Sequence, residues 1–432
     1  MRWLPLIALA LLVAIAGGAP YGLGALTESG FRSVVRDFDR ESRDWRLTNL
    51  DYERGYLNAV ARYELRWRSG DGREQVLPLV TRFNHGLTDV RAVTRLTDDA
   101  LESLSPLMPE GQEPRLRVEV GVGGGTDIRM RIPRLEWGPD TPVPELAGSS
   151  GEVAPVDLTG EWSRGNHHRL SMQWAGLSMD LGDARIEVDS VKLDHRLGPL
   201  GERLWQGESR LDVASLTVDP VLDDPIVAED VRFRLRAGDE EGYLDASLEA
   251  VIGELRNAGR SFGRQALVLK AEDLHTTSLN NAVDSFMELR SAEADAGDGT
   301  GLQGQELMDR YTRLSRNLQT LSARGGRLSL EELLLTLPDG TVEGEGFLAY
   351  PRRPESEWEQ PVSLLRHARA EGVLYVDRGM VWALPRVARR LLGRLERENV
   401  VTPRDGRYHL DLRLESMQLR VNDARFEVPP LL

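Results

Sequence analysis

Leu328-Ser329-Leu330-Glu331-Glu332-Leu333-Leu334-Leu335-Thr336-Leu337-Pro338-Asp339-Gly340 decides the fold class of this chain. Leu328 and Leu330 alternate with polar neighbours, as in a strand with one wet face. The step Glu331-Glu332 shifts the phase, and Leu333 and Leu335 resume the alternation. One extra residue at that step, a β-bulge, returns both halves to the same face and twists the strand. Asp339-Gly340 follows as a hairpin signal, because glycine supplies the positive φ of a tight turn. Thr341 to Phe347 then reads as the returning strand.

The same spacing, apolar-x-apolar-x-x-apolar-x-apolar, occurs in four other places. They are Trp45, Leu47, Leu50, Tyr52; Ile186, Val188, Val191, Leu193; Leu211, Val213, Leu216, Val218; and Leu412, Leu414, Met417, Leu419. A helix reading fails for most copies, since charged residues fall where a helix would bury them. Leu419 to Val428 repeats the strand-turn-strand shape with Asn422-Asp423 at the bend, and Tyr52 to Tyr56 joins the first copy to Val60, Tyr63, Leu65 and Trp67. Polar outer faces of this kind suit antiparallel sheets wetted on one side. The expected fold class is therefore mainly β with helical insertions (α+β), built of elongated antiparallel meander and hairpin sheets with bulged strands.

Three segments carry helical spacing instead. Phe31, Val34, Val35 and Phe38 place one within 29–43; a second, 277–323, is an insert with Thr277 or Ser278 as its cap; a third spans 382–398. Ser291 to Gly301 reads as a flexible acidic linker inside the insert, and 138–155, rich in Pro, Gly and Ser, as a loop. This gives a β-rich N-terminal lobe over 27–137 and a β-rich body over 156–432.

Ahead of them, Trp3 to Leu26 holds no charged side chain. As a helix it reaches about 35 Å, enough for a bilayer core of about 30 Å. Residues 1–26 read either as a retained transmembrane anchor or as a signal peptide cleaved after Ala14-Ile15-Ala16. The uncharged run favours the anchor, a single-pass helix with the body exported. No cysteine is present to carry a lipid or a disulfide, so the core alone holds the fold. The chain carries a formal charge of −15, which argues against nucleic acid as a partner and against broad adhesion to anionic membranes.

Four short motifs give a resemblance. The apolar stretch runs into Pro20-Tyr21-Gly22-Leu23-Gly24; Leu50-Asp51-Tyr52-Glu53-Arg54-Gly55-Tyr56-Leu57-Asn58-Ala59 follows; then come Phe83-Asn84-His85-Gly86-Leu87 and Leu419-Arg420-Val421-Asn422-Asp423. Together they resemble the YdgA-like family of bacterial envelope proteins, which has no assigned biochemical function. The resemblance implies an inner-membrane anchor and a β-rich periplasmic body, and no substrate.

No motif points to catalysis, a metal or a cofactor. His167-His168 sit next to each other, and strand neighbours face opposite ways, which opposes joint ligation of a metal. Gly121 to Thr126 lacks the lysine and following helix of a phosphate loop and reads as a hairpin turn. Gly148-Ser149-Ser150-Gly151 lacks the strand-to-helix context of a nucleophile elbow. Two features remain as candidate binding surfaces. Leu330, Leu333 and Leu335 line either a groove or a closed core. Arg386, Arg389, Arg390 and Arg394 lie beside Val387, Leu391, Leu392 and Leu395 on a helix that either docks on lipid headgroups or an acidic partner, or caps the sheet. The expected function is non-enzymatic: an envelope protein binding a partner or a lipid-like apolar ligand along a curved sheet. The alternative is an envelope assembly or scaffold protein, and an enzyme with a site dispersed over several strands is the third reading.

Overall fold

A computed structural model describes residues 31–32, 35–36, 45–54, 58–68, 74–86, 89–121, 123–143, 146–163, 165, 167–201, 204–220, 224–297, 304–354, 366–383, 386–398, 400–401 and 403–427. The anchor expected at 1–26 lies outside these residues, as does most of the helix expected at 29–43, of which 31, 32, 35 and 36 are helical. Among the described residues no helix is long and apolar enough to cross a membrane. The fold is mainly β and antiparallel, with few helices, in two compact units. One holds the described residues up to Gly198 with Arg210–Val227, the other Pro199–Ser209 with Ala228–Leu432.

In the first unit β1 (Trp45–Arg54), β2 (Asn58–Arg68), β3 (Glu74–His85), β4 (Asp89–Leu96), β5 (Arg115–Gly121) and β6 (Thr126–Ile132) form a meander, each pairing with the next. Alternating Ala59, Ala61, Tyr63 and Leu65 point inward from β2, and Phe31 and Val35 close over them. The Phe31 ring meets Tyr63 and Phe83 edge-on at 5.5 and 5.4 Å, the geometry that aromatic quadrupoles favour.

Beyond β6, short β7 (Leu135–Trp137) and β8 (Ser150–Val153) precede β9 (Val156–Trp162), β10 (His168–Asp180) and β11 (Ala184–Pro199). β9 pairs with β6, and β8 with β7, so 138–155 lies within one unit. β10 pairs with β9 through one half of its length and with β8 through the other. Leu116, Ile128, Met130, Val156, Leu158 and Leu170 belong to the core of these strands. Leu211 and Val213, from the third copy of the repeat on β12 (Trp205–Pro220), pack against it.

The second unit continues through β13 (Ile226–Glu240), β14 (Tyr243–Asn257), the two-residue β15 (Arg260–Ser261) and β16 (Gln265–His275). After a helical hairpin come β17 (Gly326–Leu337), β18 (Gly340–Tyr350), β19 (Arg369–Asp377), β20 (Arg407–Glu415), β21 (Gln418–Val421) and β22 (Ala424–Glu427). β14, β16, β17, β18, β19, β20, β21 and β22 pair in that order.

The phase slip has more than one structural form. In β17, Leu330 faces Gly346 and Leu333 faces Gly344, so Glu331 and Glu332 together oppose Glu345 in a bulge. β1 does the same between Thr48 and Asp51, where Asn49 takes φ 55° and its amide donates to Glu64 Oε2 at 2.9 Å. In β11 no extra residue stands against β10, and Ser190 takes φ 41°. The last copy is a different object. Glu415 pairs with Gln418, so Ser416 and Met417, at φ 50° and 64°, are the two central residues of a tight hairpin.

Helices also depart from expectation. Asp98–Leu104 forms an additional α1, with the Thr97 hydroxyl accepting from Ala100 N at 3.4 Å and Asp98 and Asp99 against its positive end. In the insert, α2 (Thr276–Gly297) is capped by His275, whose Nδ1 accepts from Ser278 N at 3.2 Å, in place of Thr277 or Ser278. α2 extends through the first seven residues of the expected linker, because Ala and Glu there favour helix over coil. α3 (Gly304–Ala323) returns, and α4 (Arg386–Arg397) falls within 382–398.

Candidate functional site

Cross-strand register in the second unit assembles one face entirely from apolar residues and glycine over three successive rows. The first is Ala246, Ala271, Leu328, Leu348, Ala370 and Leu414; the second Leu248, Leu269, Leu330, Gly346, Gly372 and Leu412; the third Ala250, Leu267, Leu333, Gly344, Leu374 and Leu410. The bulge at Glu331-Glu332 makes this continuity possible, since without it Leu333 would face the opposite side from Leu330. A second bulge acts likewise in β16. Asp273 takes φ 57° and its N–H donates to Asp245 Oδ1 at 2.9 Å, keeping Leu274 and Ala271 on one face.

Half of this face is sealed. Leu333, Leu335, Leu374 and Leu412 pack against a core that includes Leu392 and Leu395 of α4, together with Met380 and Val401. The Tyr408 hydroxyl, at the edge of that core, donates to Glu396 Oε1 at 3.0 Å and ties β20 to the helix. Gln265, buried within the sheet, has its amide satisfied: its carbonyl accepts from Thr336 N at 2.6 Å and its NH2 donates to Phe262 O. The other half stands open among the described residues. Leu269 is 37% exposed and Leu328 47% exposed. The boundary runs between Leu330 and Leu333, so the structure brings the three predicted leucines onto one face and separates them. Leu333 and Leu335 join the core, and Leu330 stays outside it.

Gly346 and Gly372 face each other in the middle row. A Cβ on Gly346 would lie 2.7 Å from Glu371 O and 2.8 Å from the Gly372 Cα. Only backbone approaches this pair, so the floor is bare between Leu330 on β17 and Leu412 on β20. Those strands are three spacings, about 14 Å, apart. The glycine pair leaves a shallow furrow in the apolar face, and its rows carry no hydrogen-bonding side chain.

Arg386, Arg389, Arg390 and Arg394 are all exposed on α4, opposite its buried Leu392 and Leu395. Arg394 pairs with Glu398 one turn on, at 2.8 Å. The helix therefore caps the sheet with one face and presents arginines to solvent with the other.

The remaining sequence candidates have structural roles. The Gly121 to Thr126 turn closes the β5–β6 hairpin, with Gly121 N donating to Gly125 O at 2.9 Å. Ser149 Oγ donates to Leu146 O at 2.6 Å and accepts from the Trp137 indole at 3.1 Å. Among the described residues no group of three or more His, Asp or Glu side chains is arranged to hold a metal.

One pairing escaped sequence reasoning. His168 stacks on His195 with ring centroids 5.0 Å apart and Nε2 atoms 3.0 Å apart, and Trp162 also stacks on His168, at 5.7 Å. His167 instead sits against Gly198, so the adjacent histidines do not act together. The partner comes from β11 through a register the sequence did not display. Burial, then the neighbouring His168, hold the His195 pKa below its ordinary 6.5. A depressed histidine pKa favours the folded state above the unfolded value, and that contribution is lost as pH falls through the folded value. Unfolding midpoints should therefore drop on acidification below pH 6.5. His195→Gln should flatten that drop; an unchanged profile would exclude the pair as its source.

The family described as "Bacterial protein of unknown function (DUF945)" matches residues 4–429. The chain belongs to the DUF945 family. Searches of the curated proteins and of the solved structures gave no match.

Proposed function

We propose that this DUF945 chain is a non-enzymatic protein of the bacterial envelope, held in the inner membrane by residues 1–26 with its body in the periplasm. In this reading it shelters a hydrocarbon chain of a lipid in the furrow of the second unit. The carrying observation is the continuous apolar face whose open half leaves Leu269 and Leu328 exposed beside a bare glycine floor. Exposed apolar surface of this kind marks binding sites more often than chance does. The uncharged run from Trp3 to Leu26 supports the anchor, and the YdgA-like resemblance supports the envelope.

Mass spectrometry of organic extracts from the purified full-length chain tests the reading. Because the N-terminal stretch carries lipid of its own, the comparison is with Leu328→Asp/Leu330→Asp. The parent should yield a lipid species that the variant lacks, at equal unfolding midpoints. Identical extracts from both would refute the furrow.

A scaffold role has one observation of its own. The α2–α3 hairpin exposes Phe286, Met287, Met308 and Tyr311, with Met308 at 63%. If envelope proteins rather than lipid are retained by the chain and Met308→Asp releases them, this second reading replaces the first.

A further inference from the structure

The chain is strongly acidic, yet its charge reverses locally. Residues 378–407 contain eight arginines and three acidic residues, whereas the whole chain carries −15. Two of the three carboxylates in this stretch are engaged. Glu396 accepts from the Tyr408 hydroxyl, and Glu398 is held by Arg394 at 2.8 Å. Arg386, Arg389 and Arg390 are exposed and make no ion pair or hydrogen bond with the described residues. At 100° per residue they occupy one side of the helix, away from Leu392 and Leu395.

Four residues ahead of Arg386 in the chain stands Trp382, at 55% exposure among the most exposed large apolar side chains of the described residues. Its position is fixed, because the indole N–H donates to Asp339 Oδ2 at 3.0 Å, in the β17–β18 turn. The ring is therefore anchored at its polar edge and left uncovered over much of its surface. An indole held in this way, close in the chain to guanidinium groups that have no partner among the described residues, matches the chemistry of the bilayer interface. There the ring sits at headgroup depth, and arginine meets phosphate while its stem lies along hydrocarbon.

We propose that Trp382, Arg386, Arg389 and Arg390 form a docking surface for an anionic phospholipid bilayer. The occupant is argued from charge complementarity. A second copy of this acidic chain would bring its other carboxylates as well, but it offers nothing that calls for an exposed indole, whereas an anionic membrane satisfies both features. The inference stands independently of the furrow, which lies at the opposite end of β17 from the turn that holds Trp382.

The absence of cysteine gives a clean experiment. A nitroxide placed through Trp382→Cys in the full-length chain reports burial at that position, and one placed through Met308→Cys on α3 is the reference. The protein is mixed with vesicles of phosphatidylcholine alone or with phosphatidylglycerol added. Insertion of the N-terminal stretch attaches the chain to both compositions alike, so the readout is the local difference. The label at 382 should lose accessibility to a water-soluble relaxant only on anionic vesicles, and the label at 308 on neither. Neutralising Arg386, Arg389 and Arg390 to Gln should weaken that protection on the order of 100-fold, at roughly fivefold per arginine; high salt should weaken it too. Equal accessibility at 382 on both vesicle types would overturn the proposal. Dipolar broadening at 382 without lipid would overturn it in favour of self-association.

Discussion

Gly176→Ala should be among the most destabilising single substitutions in this chain. Gly176 lies in β10 where the strand passes from its pairing with β9 to its pairing with β8, and its carbonyl accepts from Ala154 N at 2.9 Å. Its φ is 125°, and a Cβ there would fall 1.9 Å from Val188 O and 2.9 Å from Val188 C. Both obstacles are backbone, so no side-chain rotation relieves them. Strain at such a φ costs about 1–3 kcal/mol, and forcing the strands apart adds about as much. The expected total is about 2–6 kcal/mol, read as a large drop in the urea midpoint of the first unit's transition or as loss of soluble protein. Gly182→Ala isolates the backbone component: Gly182 has φ 84° with no atom within 4 Å of its would-be Cβ. It should cost only about 1 kcal/mol. Equal losses at the two positions would show that φ strain alone, and not the approach of β11, makes glycine necessary at 176.

Leu395→Ala should come next, at about 2–5 kcal/mol. Leu395 is 2% exposed and shares a core with Val376, Met380, Val401, Tyr408 and Leu410, so its truncation leaves a cavity beneath α4. Leu328→Ala is the counterpart on the open half. With 47% of its surface already in water, it should cost well under about 1 kcal/mol. The pair measures where the sealed half of the face ends. A loss at Leu328 as large as at Leu395 would mean that the outer half is packed in solution, and the furrow would not exist.

Much of this organisation was legible because it depends on near neighbours in the chain. Asp339-Gly340 specifies a turn from its own backbone preferences, and the alternation around Leu328 to Leu337 specifies a strand with one apolar face. The bulge at Glu331-Glu332 was visible because a sheet face must stay continuous. The limits have equally physical causes. Leu412 to Leu419 has the same spacing as Leu328 to Leu335, yet it folds into a hairpin at Ser416-Met417. Neither residue favours positive φ, so the pairing of β20 with β21 imposes it. Helix α1 was signalled by Thr97-Asp98-Asp99 but is too short to show a period. The division of Leu330 from Leu333 depends on where α4 lands, and no local pattern encodes that.

By itself the sequence determined a β-rich, antiparallel, disulfide-free body with bulged strands and arginines along one side of its C-terminal helix, because periodicity, turn chemistry and composition act over a few residues. Only the tertiary structure decided which leucines are core and which are open, that His168 meets His195, and that Glu396 and Glu398 are engaged while Arg386, Arg389 and Arg390 have no partner among the described residues. Those outcomes depend on register between strands and on the placement of one helix over a sheet. Burial and pairing are properties of residues far apart in the chain, fixed only when the whole fold closes.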